Sequence, residues 1–180
     1  MTIGIFASGR GSNAKNIIEH FKSSSHKFIV FTNNPNATVI DVASELGVSC
    51  VVFRPDENLN EIMKLFSVDF IVLAGYIKLI PKELISEYTG KIINIHPSLL
   101  PKFGGKGMWG MNVHKAVIQS SEIESGITIH YVSEKYDDGE IIEQHKCSVL
   151  LCDTPETLSK KISELEKFYF PKCIERLLAF

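Results

Sequence analysis

A chain of 180 residues with 44% hydrophobic residues is long enough to bury a substantial core and falls within the usual range for one domain. Its formal net charge of −2 and pI near 6.3 leave no basic excess for a nucleic-acid-binding surface, and no apolar run is long enough to cross a bilayer. The start of the chain shows no basic-then-apolar leader, and Cys50, Cys147, Cys152 and Cys173 lack metal-ligand spacing, so buried reduced thiols and a cytoplasmic location are expected.

Residues 2–7 form the first apolar, strand-like run, followed by Gly9-Arg10-Gly11-Ser12-Asn13-Ala14 and a helical pattern over 13–22. Glycines at such a turn let backbone N–H groups point inward, and the start of the helix adds partial positive charge, which suits a single phosphate. The loose dinucleotide reading of the same glycines fails, because the second predicted strand, 27–32, ends in Thr32-Asn33-Asn34 and not in an acidic residue. A tight turn with no ligand is the other reading. Helix 37–46, strand 49–53, helix 57–66 and strand 69–74 continue the alternation, which predicts a parallel sheet with helices on both faces. The last of these strands runs into Gly75-Tyr76-Ile77-Lys78-Leu79-Ile80, an apolar loop whose glycine allows close approach to the backbone.

Strand 91–95 leads into Asn94-Ile95-His96-Pro97-Ser98-Leu99-Leu100-Pro101. By strand alternation Asn94 and His96 share a face, and two prolines forbid helix and ordinary ladder pairing in the segment that follows, leaving a rigid loop at a strand end. An amide that can donate to a developing oxyanion beside an imidazole suits attack on a carbonyl carbon, so acyl or formyl transfer leads. The remaining histidines, His20, His26, His114, His130 and His145, carry no neighbouring chemistry and read as structural. Trp109 sits in the glycine-rich loop 104–110, with either a covering or a packing role. Strands 126–132 and 141–150, joined by a polar turn at 134–139 that contains Asp137 and Gly139, predict an antiparallel addition to the sheet. The final helix is signalled by Thr154 as N-cap, Pro155 at its first position and a stripe of Leu158, Ile162, Leu165 and Tyr169, with Pro171 expected to kink or interrupt it. No linker is visible, and one domain over 1–180 is expected.

Four motifs in order, Ala7-Ser8-Gly9-Arg10-Gly11-Ser12-Asn13, Val72-Leu73-Ala74-Gly75-Tyr76, Asn94 to Pro101 with Tyr136-Asp137-Asp138-Gly139-Glu140-Ile141-Ile142, and Glu166-Lys167-Phe168-Tyr169-Phe170-Pro171, resemble the folate-dependent formyltransferases. The glycine-rich opening and chain length narrow the resemblance to the phosphoribosylglycinamide formyltransferase family. It implies an α/β, Rossmann-like three-layer fold with a mostly parallel sheet and a C-terminal antiparallel addition. The implied activity transfers the formyl group of 10-formyltetrahydrofolate, a co-substrate, to the amine of N1-(5-phosphoribosyl)glycinamide in de novo purine biosynthesis. Asn94, His96 and Asp137 are the implied catalytic residues. Gly11, Ser12, Asn13 and Glu166 would bind the ribonucleotide; Arg54, Ile77, Lys78, Leu79, Ile80 and Asn94 would bind the folate, partly through main-chain groups, with residues 133–137 as an opposite wall. Lys78 stands where many relatives have arginine, and the shorter segment around Arg54 leaves that residue the only candidate for a basic contact there.

The same resemblance implies direct attack through a tetrahedral intermediate, with Asp137 favouring the protonated form of His96, no metal, small-molecule partners without nucleic acid or membrane, and a monomer or weak homodimer. It also implies a cis Leu100–Pro101 bond. A 10-formyltetrahydrofolate hydrolase is the alternative, against which stands the expectation of an additional N-terminal domain in that group. A non-catalytic nucleotide-binding module would have no need of Asn94, His96 and Asp137 together.

Overall fold

The computed structural model describes residues 1–179, and residue 180, the end of the expected domain, lies outside them. The chain divides into two compact units, Met1–Asn94 and Ile95–Phe180. The first alternates strictly: β1 (Thr2–Phe6), α1 (Ser12–His20), β2 (Lys27–Thr32), α2 (Val39–Glu45), β3 (Ser49–Val52), α3 (Leu59–Leu65), β4 (Phe70–Leu73), α4 (Lys82–Glu87) and then β5 (Ile92–His96), which ends in the second unit. β1 pairs in parallel with β2 and β4, β2 with β3, and β4 with β5 through Ile71↔Ile92, Val72↔Ile93 and Leu73↔Asn94. Strands buried on both faces read as near-continuous apolar runs, as FIVL in β4 and IGIF in β1 do, while the edge strand β3 is only half-buried. Phe6 anchors the core, stacked on Phe31 at 5.3 Å between ring centroids and meeting Tyr76 edge-on at 5.4 Å.

The second unit carries α5 (Met111–Gln119), β6 (Glu124–Tyr131), β7 (Ile141–Ser148) and α6 (Pro155–Leu178). β6 and β7 pair antiparallel, with an irregularity between Ile129 and His130. In strand order the sheet is β3-β2-β1-β4-β5-β6-β7, so the predicted mostly parallel sheet with an antiparallel addition is observed.

Several features depart from the expectation. Helices α4 and α5 were not expected: α4 has six residues with only Leu84 buried, and the buried face of α5 is Val113, His114 and Val117, so its periodicity is broken by a histidine. Helix α6 runs without interruption through Pro171, so of the kink or interruption expected there the interruption does not occur. Proline removes the bond to the carbonyl of Lys167, yet Phe170, Pro171, Cys173 and Ile174 are all buried, and that packing holds the last turns in register. Its N-terminus follows the expectation, with Thr154 and Thr157 capping each other reciprocally. The four cysteines are free; Cys173 is buried, and burial, reinforced by Glu143, pushes its thiol up to about 12. Cys50 and Cys147 are half-buried and Cys152 is exposed in the turn before α6, against the expectation of four buried thiols. Among the described residues no helix is long and apolar enough to cross a membrane.

Candidate active site

In the first unit three candidate segments lie at the carboxyl ends of neighbouring parallel strands. After β1 the chain turns through Gly11, which has φ +76° and serves as N-cap of α1 without any capping side chain. The first turn of a helix leaves N–H groups without intrahelical acceptors, so the backbone of Ser12 and Asn13 sits where an anion is stabilised. Glycine is required at position 11 by conformation and by space, since a Cβ there would lie 2.5 Å from Cγ2 of Val39. Beyond β4, Gly75 adopts φ +83°, and Ile77, Lys78 and Leu79 are exposed, whereas the Ile80 side chain is buried and offers a ligand nothing but backbone. Asn94, half-buried, ends the pairing of β5 with β4.

Arg54 is placed differently. Its exposed guanidinium lies 3.8 Å from Asp56 and 3.7 Å from Glu57, and its backbone N–H donates to Glu57, so it is engaged within its own loop.

In the second unit the structure brings His96 and Asp137 together. Nδ1 of His96 lies 3.3 Å from Oδ1 of Asp137, and Nε2 lies 2.8 Å from the carbonyl oxygen of Phe103; the ring is 3% exposed. A carbonyl and a carboxylate are both acceptors, so the doubly protonated ring satisfies both contacts, while either neutral tautomer would turn a lone pair toward an oxygen. Asp137 also accepts from the Gly105 N–H at 2.9 Å. Burial, the largest influence on Asp137, pushes its carboxyl up, but the His96 bond and charge, the Gly105 N–H and His130 together hold it below the usual carboxylate value.

The local sequence accounts for this geometry. Asp137 has φ +53°, a conformation that aspartate tolerates better than most residues, and two positions on Gly139 packs so tightly that a Cβ would fall on the Tyr131 carbonyl. Gly104 lets its loop approach, since a Cβ there would be 2.5 Å from Leu100 and 3.2 Å from Asp137. The loop after His96 is pinned by Thr128, whose hydroxyl donates to the Ser98 carbonyl at 2.7 Å and accepts from the Leu100 N–H at 3.0 Å and the Gln144 amide at 2.8 Å. Ser98 closes the loop on the Lys102 carbonyl, and the Leu100–Pro101 bond is cis, as the resemblance implied. Glu166 is half-buried on α6, and Trp109 is 54% exposed, so it is no core residue.

His130, which reads as structural in the sequence, also lies against Asp137. It is 2% exposed, its Nδ1–H donates to the Tyr131 carbonyl at 2.8 Å and its Nε2 lies 3.8 Å from Oδ1 of Asp137. The signal was present in strand alternation, because Thr128 and His130 fall on one face of a strand that leads directly into the Asp137 turn.

The family model for formyl transferase matches residues 1–174, and the chain belongs to that family. A chloroplastic phosphoribosylglycinamide formyltransferase of Arabidopsis thaliana is 40% identical over 93% of this chain, which spans 62% of that relative's length. The phosphoribosylglycinamide formyltransferase of Bacillus subtilis (strain 168) is 36% identical, with 97% of this chain and 93% of the relative covered. A crystal structure of phosphoribosylglycinamide formyltransferase from Bacillus halodurans superposes with a TM-score of 0.89 at 34% identity, covering 99% and 95% of the two chains.

Proposed function

We propose that this chain transfers the formyl group of 10-formyltetrahydrofolate to the amine of N1-(5-phosphoribosyl)glycinamide; the names of its relatives give formyl transfer to phosphoribosylglycinamide for them, and the folate donor is part of the proposal. The observation that carries the reading is the buried His96–Asp137 pair at the end of β5. Its chemistry suits a reaction that develops negative charge on a carbonyl oxygen. In the proposed reaction the amine lone pair forms a bond to the formyl carbon and the carbonyl electrons move onto oxygen. The Asn94 amide donates to that oxyanion and His96 lends positive charge. With Nε2 committed to Phe103, His96 acts here through its charge and not through a direct hydrogen bond. Collapse of the intermediate breaks the bond to N10 of the folate, which takes up a proton as the amine nitrogen loses one; Asp137 and water carry it. No step calls for a metal. Among the described residues no three His, Cys, Asp or Glu side chains group to hold one.

Gly11, Ser12 and Asn13 would receive the ribonucleotide phosphate and Glu166 the amine side, while Ile77 to Ile80 and Asn94 contact the folate. Arg54 would have to exchange its Asp56 and Glu57 partners for the folate. Four free thiols support a cytoplasmic placement, and the partners proposed are small molecules. The test omits one substrate at a time. Consumption of 10-formyltetrahydrofolate only in the presence of glycinamide ribonucleotide supports transfer, and equal consumption in its absence means hydrolysis.

A further inference from the structure

Ser8 lies two residues beyond β1, immediately before the glycine turn, and is buried. All of its polar groups are engaged. Its N–H donates to the Gly75 carbonyl at 3.1 Å, and its hydroxyl donates to Oδ1 of Asn33 at 2.7 Å and accepts from the Ile77 N–H at 3.3 Å. Its carbonyl accepts from the Asn34 side-chain amide at 3.2 Å. Asn34 is in turn held by Thr32 through its backbone N–H and orders the next turn by accepting from the Asn36 N–H. One serine therefore ties together the turn after β1, the turn after β2 and the loop after β4, all within the first unit. The ladder does not require it, since β1 pairing with β2 and β4 is complete at Phe6 and is extended by the backbone bonds of Ala7 and Ala74.

We propose that Ser8 is a positioning residue that couples the phosphate turn to the folate loop, so that filling one orders the other. The inference rests on the function proposed above, which assigns those two segments to the two substrates. A hydroxyl that bonds across both loops makes their ordering a shared cost, and a ligand that has met that cost on one side leaves less for its partner. Coupling of this kind is reciprocal. It matters for transfer because a formyl donor bound alone exposes a hydrolysable group, whereas coupled binding favours the ternary complex.

The experiment is calorimetric titration of tetrahydrofolate, which carries no formyl group to transfer, with and without saturating glycinamide ribonucleotide, joined to steady-state kinetics. In the unaltered protein the ribonucleotide should tighten tetrahydrofolate binding severalfold. Ser8→Ala should bring that factor close to one and raise KM for the formyl donor about three- to tenfold, the scale of losing the hydroxyl's bond to the folate loop, while kcat changes less than about twofold. Asn33→Ala removes the acceptor from the other end and should do the same, and Ser8→Thr, which keeps the hydroxyl, should restore coupling. A merely structural serine would lower the melting temperature and leave both coupling and the KM-to-kcat split unchanged, which would overturn the proposal. Absence of coupling in the unaltered protein would overturn it too. Failure of the unaltered protein to bind either ligand would instead sink the underlying function.

Discussion

Both ring nitrogens of His96 are set against acceptors, the Asp137 carboxylate on one side and the Phe103 carbonyl on the other. His96→Ala should lower turnover about a hundredfold or more, the usual scale for a positioned acid or oxyanion-stabilising group. Adding Asp137→Asn to it should cost little more, because two residues that act on one transition state lose their effect together. Steady-state kinetics of the two single variants and the double variant check this, and independent, multiplying losses would contradict it. His114 and His130 supply a stability prediction. Burial first, and then the His96 charge, lowers both from the ordinary value of 6.5; for His130 the Tyr131 carbonyl and Asp137 pull the other way without prevailing. The unfolded chain therefore takes up these protons more readily, so their neutral forms favour the fold above about pH 6.5 and stability falls as pH drops below it. His114→Gln should flatten that acid limb in urea midpoints measured across pH. Asp137 adds a separate loss at lower pH, because its depressed pKa holds the ionised, stabilising form until the pH falls through the folded value.

At the scale of elements, the turn between β1 and α1 sets a contrast. If, as proposed, backbone groups hold the phosphate, Ser12→Ala should weaken ribonucleotide binding only modestly, and inorganic phosphate or sulfate should compete with the ribonucleotide and not with the folate. Gly11→Val should abolish binding and destabilise the chain by about 2 kcal/mol or more, combining a disfavoured φ with a clash. That clash is with Val39 of α2; from sequence the branched side chain would be expected to press on the phosphate itself. Binding titrations and denaturation of the two variants check the pair. Much of this was legible in advance. The strands of the first unit announce themselves as apolar runs, and Asn94, His96 and the Asp137 turn are marked by prolines and glycines whose backbone demands are local. Helices α4 and α5 were hidden because a single buried leucine, or a buried histidine among valines, leaves no apolar period to read. Continuation of α6 through Pro171 was hidden for the opposite reason: local chemistry argues for a break, and burial of its neighbours decides otherwise. The engagement of His96 with Phe103 depends on a loop closing back seven residues later, which no periodicity encodes.

For the molecule as a whole, the match over residues 1–174 defines the family, and the likeness to the Bacillus relatives extends over nearly their whole length. A family scaffold does not by itself choose between an amine and water as acceptor of the formyl group. That choice is what the proposed function commits to, and it is open to direct test. The most direct measurement is the fate of a labelled formyl group. With 10-[13C]formyltetrahydrofolate and glycinamide ribonucleotide, carbon NMR should show the label appearing as an N-formyl amide on the ribonucleotide in an amount equal to the tetrahydrofolate formed. Label recovered as free formate at the same rate, with the ribonucleotide unchanged, would contradict the account.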